Sequence, residues 1–298
     1  MPISSFDGRR RVVIEGVSPA VDGGRFPAKR VAGDVVSIEA DVFADGHDLL
    51  SAVVMHRHQR ESKPRETRMT AIVNDRWRAE IQVEELGFYF FTIEAWVDHF
   101  LTWHRDLQKR DKADLPVQLQ IGLGMIRAAS SRAKGRDKKR LAHFVEVLEG
   151  DDEIEDKMHD VKSDELLDLM WRNSDRPHAA RLECEYPIEV DRPKAAFSTW
   201  YELFPRSVGT FRDMEAQLPG IAKMGFDVLY LPPIHPIGKT FRKGRNNVVN
   251  AGPNDVGSPW AIGGGEGGHT AIHPQLGNVE DFRRLVTSAK EKDRKSVV

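Results

Sequence analysis

The sequence predicts a multidomain protein: an N-terminal β-sandwich of immunoglobulin-like type carrying an inserted helical bundle, followed by the first two βα units of a (β/α)8 barrel. Three observations predict it. Short alternating apolar runs separated by turn residues fill residues 11–98. The apolar period then changes to helical spacing over 99–174. From Phe197 to Leu285 the pattern reads β-α-β-loop-α, the opening of a parallel array. The expected domains are 1–98 with 175–193 for the sandwich, 99–174 for the bundle and 194–298 for a truncated start of the barrel.

In the sandwich, Arg11–Val17, Asp34–Phe43, Leu50–His58, Trp77–Val83 and Gly87–Val97 are strand candidates. Asp22-Gly23-Gly24, Asp45-Gly46 and Asn74-Asp75 supply turns between them. Several short strands with such turns suggest two packed sheets. Trp77 and Trp96 belong in alternating strands and are expected in the core. The competing reading makes them sugar-stacking platforms of a carbohydrate-binding module, recognisable by coplanar exposed aromatics on one sheet face.

In the bundle, Phe100, Trp103 and Leu107 share a helical face. Pro116 suits a helix start, with Leu119, Leu123 and Ile126 following at helical spacing. Leu141, Phe144, Val145 and Leu148 make a second stripe, and Ser163 caps a last helix bearing Leu166, Leu167 and Met170. About four helices are expected. Strand-like composition returns at Cys184–Val190, so the bundle reads as an insertion. A basic block from Arg127 to Arg140 precedes an acidic one from Glu149 to Asp156. With few interleaved aromatics, the two read as solvated faces or as mutual partners rather than a nucleic-acid surface.

Composition narrows the function. A 298-residue chain with 40% hydrophobic and 30% charged residues fits a globular protein. Its net charge of -2 gives no field for nucleic acid or an anionic membrane. No apolar run approaches the roughly 20 residues of a membrane span. Arg9-Arg10-Arg11 lacks a following apolar segment, which argues against a signal peptide and for a cytoplasmic protein. The single cysteine, Cys184, lies between Glu183 and Glu185, surroundings that disfavour a reactive thiolate.

In the array, Thr210 and Asp213 form a capping-box variant for a helix to about Met224, with Met214, Leu218 and Ile221 inward and Gly225 ending it. Val228–Leu231 is apolar throughout, as a strand buried on both faces should be. The loop from about Pro232 to Asn278 is long enough to be functional. It carries Lys239, Arg242, Lys243 and Arg245 beside Asn246 and Asn247. Cations and side-chain amides suit an anionic, hydroxyl-rich ligand, although a solvated basic loop has the same composition. The run Gly263–Gly268 has neither the spacing nor the context of a phosphate-binding or dinucleotide motif. Asn278 caps a closing helix with Phe282, Leu285, Val286 and Ala289 inward.

Four segments resemble one enzyme family: Phe197–Ser207, Gly225–Gly238, Phe241–Asn247 and His273–Asn278. They are similar to the α-1,4-glucan:maltose-1-phosphate maltosyltransferases of the α-amylase superfamily. The resemblance also covers the sandwich and its insertion, up to about Lys290. It implies a homodimeric enzyme of glycogen or α-glucan biosynthesis, without cofactor or metal. Such an enzyme moves maltosyl units from α-maltose 1-phosphate to the non-reducing end of an α-1,4-glucan, with retention. It also implies that Lys243 contacts the donor, with Asn246 and Asn247 as neighbouring substrate contacts. The family's nucleophile, general acid and stabilising carboxylate have no matching positions here, so no catalytic residue is assigned. The chain by itself is expected to be an inactive fragment, and Lys290–Val298 to depart from the family's third strand. An amylase-type hydrolase is the alternative within the enzyme class. Among the visible acids, Asp227 is expected at the stability face of the array and Glu202 as a packed or hydrogen-bonded structural acid, with Asp255 and Glu266 in Gly-rich loop.

Overall fold

A computed structural model of the chain describes residues 9–176, 178–292 and 295–297. The chain divides into two compact units, Met1–Arg192 and Pro193–Val298.

The first unit opens with β1 (Val12–Ser18), β2 (Ala28–Val31), β3 (Val35–Ala44) and β4 (Leu50–His58). Next come β5 (Arg65–Arg68), β6 (Thr70–Val73), β7 (Arg76–Gln82) and β8 (Gly87–Val97). After a helical insertion, β9 (Ala180–Arg181) and β10 (Tyr186–Asp191) complete it. One sheet has the order β1-β3-β7-β6; the other runs β2-β10-β8-β4-β5, with β9 beside β8. All pairs are antiparallel except β10 with β2. The two sheets enclose one core. Val36, Ile38, Ala40 and Val42 of β3 enter it at every second position, opposite Tyr89, Phe91, Ile93 and Ala95 of β8. The expected limits of β4 and β8 coincide with the observed ones. The sequence reading passes over β2, β5, β6 and β9, each of four residues or fewer.

The insertion holds α1 (His99–Leu107), α2 (Leu115–Arg132), α3 (Gly135–Glu149), α4 (Ile154–Val161) and α5 (Asp164–Arg172). This is one helix more than expected, and α4 lies where the acidic block ends. The predicted stripes form a second core of their own, including Phe100, Trp103, Leu123, Phe144 and Leu166. Asp98 ties the two together: Oδ1 accepts from Leu101 N at 2.9 Å to cap α1, and Oδ2 accepts from Ser51 Oγ at 2.7 Å. Ser163 caps α5 through Leu166 N. Arg127 binds Glu149, so the basic and acidic blocks do meet.

The second unit contains α6 (Pro193–Ala196), β11 (Trp200–Glu202), α7 (Pro205–Val208), α8 (Phe211–Glu215), α9 (Leu218–Lys223) and β12 (Val228–Tyr230). After the long loop come α10 (Val279–Glu291) and β13 (Lys295–Val297). The strands are parallel in the order β11-β12-β13. Three expectations change. The first strand is confined to three residues, because Phe197 is exposed and Pro205 starts a helical turn. The helix expected over Thr210–Met224 is broken into α8 and α9, because Pro219 lacks the N–H to continue it. The segment expected to depart from a third strand instead carries β13, paired with β12. Gly225 ends α9 at φ +88°, as predicted. Phe211, Met214, Leu218, Leu229, Leu231 and Leu285 form the core of this unit.

Candidate functional site

The site lies on the loop that leaves the C-terminal end of β12. The chain there is held by backbone and by one arginine. Ile237 and Ile262 form an isolated antiparallel bridge, and Gly238 N donates to Ala261 O at 2.7 Å. Arg242 then clamps the turn. Its Nε donates to Gly238 O at 2.9 Å, one Nη to Asp255 O at 3.0 Å and the other to Ile237 O at 2.8 Å. A side chain on Gly257 would strike the Arg242 stem at 2.9 Å, so the clamp needs glycine there.

This bracing exposes Lys243 and forms a cleft of about 360 Å³. Lys243, Asn247, Asn254 and Ser258 line it, together with Asp255 and Gly257. Asn247 adopts φ +64° and Asn246 φ +55°, a left-handed pair that turns the chain back. Asn246 is exposed on that turn but is not part of the cleft lining. Of the three residues predicted to contact substrate, the fold therefore brings Lys243 and Asn247 together.

The acids fall elsewhere. Asp255 Oδ2 accepts from Gly252 N at 2.7 Å, a loop-closing role. Asp227 accepts from Thr199 N at 3.0 Å and Thr199 Oγ1 at 3.1 Å, at the entry to β12. The Thr199 amide, more than Lys194, holds its carboxyl below the ordinary range. Glu202 is exposed, contrary to the packed or bonded acid expected. Strand alternation explains this: Tyr201 and Leu203 take the core-facing positions and leave Trp200 and Glu202 on the other face. Glu266 is exposed in the glycine run.

A basic cluster was not legible in the sequence. Arg206 has Nε and one Nη buried without an acceptor among the described residues. Burial, then the neighbouring Arg242, lowers its pKa; burial, then Arg206, does the same to His273. Arg206 was visible only as part of the Phe197–Ser207 run. Among the described residues no group of three or more His, Cys, Asp or Glu could hold a metal ion. No described helix is long and apolar enough to cross a membrane.

The sandwich offers no platform at the tryptophans proposed for one. Trp96 is buried, and Trp77 is half-buried with Nε1 donating to Val42 O at 3.1 Å.

Residues 10–192 match the family model described as α-1,4-glucan:maltose-1-phosphate maltosyltransferase, domain N/S. The chain belongs to this maltosyltransferase family. It is similar to the α-1,4-glucan:maltose-1-phosphate maltosyltransferase of Chlorobaculum tepidum, 47% identical over 296 residues that cover 96% of this chain and 44% of the relative. The same-named proteins of Methylacidiphilum infernorum and Pseudomonas aeruginosa are each 43% identical, over 96% and 94% of this chain respectively, and each is covered to 44% of its own length. The chain thus spans less than half the length of these maltosyltransferases. Because each alignment extends well beyond residue 192, the Lys243 loop lies within the matched part.

Proposed function

We propose that this chain supplies the framework and the donor-binding loop of a maltosyltransferase. The enzyme moves maltosyl units from α-maltose 1-phosphate to the non-reducing end of α-1,4-glucans in α-glucan or glycogen biosynthesis in the cytoplasm. The observation that carries the reading is the Lys243 cleft, braced by Arg242 on a loop after a parallel strand, in a chain of this family. An ammonium beside side-chain amides fits a sugar phosphate: the cation takes the phosphate, and Asn247 and Asn254 can both donate to and accept from hydroxyls. Asn246, on the same turn, completes the proposed substrate contacts.

On this reading 1–98 with 175–193 is an immunoglobulin-like sandwich, 99–174 is its inserted bundle and 194–298 opens a (β/α)8 catalytic barrel. The loops after its strands would form the active face. Retaining transfer uses two carboxyl groups about 5–5.5 Å apart. Asp227 and Asp255 are engaged in structural bonds, and Glu202 and Glu266 stand exposed, so we assign none of them a catalytic role. We also propose a homodimer formed through the bundle. On α2, Val117 and Ile121 are 63% and 47% exposed and lie in line with Gly124 and Ala128, a face suited to a second helix.

The test is phosphate release from α-maltose 1-phosphate with maltohexaose as acceptor. The full-length protein that carries this sequence is expected to release phosphate and to lengthen the acceptor by a maltosyl unit. Hydrolysis of glucan without phosphate release would identify an amylase-type hydrolase instead.

A further inference from the structure

The second unit holds a positive charge that none of its described residues balances. Arg206 stands at the start of α7, just past the C-terminal end of β11. Its Nε and one Nη are buried without an acceptor among the described residues. The neighbouring cation, Arg242, directs all three of its bonds to carbonyl oxygens and brings no acid with it. The other neighbour is His273, whose Nδ1 accepts from Gln275 N at 3.2 Å. Its lowered pKa keeps the ring neutral, so the remaining ring proton sits on Nε2 and His273 adds a donor, not an anion. A buried ionised group without a counter-charge is strongly unfavourable, so this guanidinium calls for an anion.

One acid shares this neighbourhood. Glu266 is exposed and makes no hydrogen bond or ion pair among the described residues. It acts on the same ring: burial, then Arg206, lowers the His273 pKa, and Glu266 works against them. Its carboxylate lies back over Gly264, where a Cβ would stand 2.5 Å from Oε2. Pro236 Cβ and Ile237 O each lie 3.5 Å from that position. Gly263 N donates to Pro236 O at 2.9 Å, and His273 N donates to Ile234 O at 2.8 Å. Both ends of the segment 263–273 are thus pinned to the stretch 234–237. Between the pins the backbone is lightly held. Gly267 N to Gly264 O, the bond that spans Glu266, is 3.5 Å long. Gly264, Gly267 and Gly268 take φ of +102°, +124° and +53°, and a glycine moves between such conformations without a Cβ penalty. Rotation about these glycines can carry the carboxylate across while the pins stay in place.

We propose that Glu266 is a positioning residue that latches onto Arg206: the glycine run turns and sets the Glu266 carboxylate against the buried guanidinium, closing the loop beside the Lys243 cleft. The Arg242 clamp bonds Ile237 O and Gly238 O, and the glycine run is seated on this same stretch. A closed run therefore steadies the base of the cleft. That consequence for the donor rests on the function proposed above; the Glu266–Arg206 pairing does not.

The experiment records the arginine Nε–H signals of the 15N-labelled chain, with the Arg206 signal assigned by correlation through its own side chain. Glu266→Gln keeps the size of the side chain and removes its charge. It is expected to move the Arg206 signal and to speed its hydrogen exchange about tenfold or more, the scale of a charge-assisted bond. Glu202→Gln, at an exposed acid on β11, should leave the signal in place. In the full-length protein, Glu266→Gln should raise the KM for α-maltose 1-phosphate about threefold to tenfold and keep kcat within about twofold, as loss of ground-state positioning requires. The pairing is overturned if Glu266→Gln leaves the Arg206 signal and its exchange unchanged, or if Glu202→Gln moves them as much. A saturable shift of the parent's Arg206 signal with inorganic phosphate also overturns it, because the guanidinium is then an open anion site. An unchanged KM in a full-length protein that does release phosphate overturns the positioning role. Absence of phosphate release in the parent itself contradicts the function proposed above and leaves the signal of Arg206 to decide the pairing.

Discussion

His104 shows how far one buried side chain can set the pH response of this fold. It sits on the core-facing side of α1, 6.3 Å from the Phe100 ring, with Nε2 buried and without a hydrogen-bond partner among the described residues. Burial, then the nearby Lys162, holds it below its ordinary value of 6.5. The folded state thus resists a proton that the unfolded chain accepts. Its contribution is fully present above pH 6.5 and is lost as pH falls from there through the lower folded value. His56, lowered by burial and then by Arg65, acts in the same direction. Thermal unfolding between pH 7.5 and 5.5 is therefore expected to show falling stability, with a shallower slope for His104→Phe. An unchanged slope would mean that His104 carries no such linkage. Arg242 acts on the loop. Arg242→Met removes all three of its bonds to carbonyl oxygens and should speed hydrogen exchange over residues 237–257 about tenfold, with little effect on β8. Equal exchange in the two proteins would rule the clamp out. The lysine and asparagines of this loop were legible because their types and order resemble a family motif. The roles of Arg242 and Arg206 were not, because an arginine's carbonyl partners and its burial are set by backbone folding that leaves no mark in residue type.

Among the elements, α2 shows a helix built around close approach. The Trp103 ring lies against Gly122, where any Cβ would collide with it, and its Nε1 donates to Gln118 O at 3.1 Å. Gly122→Val should overpack this contact by about 1–3 kcal/mol and lower the melting temperature by several degrees. A calorimetric melting point equal to that of the parent would show that the two helices separate freely. Such helices were readable because their apolar spacing is regular over several turns, and β3 and β8 because their inward positions alternate over seven residues. The rest was not, for physical reasons specific to each case. β5 reads Arg-Glu-Thr-Arg, an edge strand whose pairing with β4 is a backbone matter. α4 has one buried residue, Val161, too little for a stripe. The break between α8 and α9 needed weight on Pro219 against an otherwise uniform apolar face. β13 lies in a charged stretch whose composition argues for no strand at all, yet its backbone pairs with β12.

At the scale of the whole molecule, the two units have different bearings on function. The first carries the family match over residues 10–192. The second carries parallel strands and the loop on which the proposed donor site rests. The central claim is that Lys243, set in its cleft by the Arg242 clamp, binds the phosphorylated donor. Lys239 has the same charge four residues earlier and is exposed, but it does not line the cleft. The most direct measurement is therefore the KM for α-maltose 1-phosphate, read from phosphate release by the full-length protein, in Lys243→Ala against Lys239→Ala. A charge-assisted contact made in the ground state predicts a KM raised about tenfold or more in Lys243→Ala, with Lys239→Ala close to the parent. An unchanged KM in Lys243→Ala, or equal losses in both variants, would contradict the account.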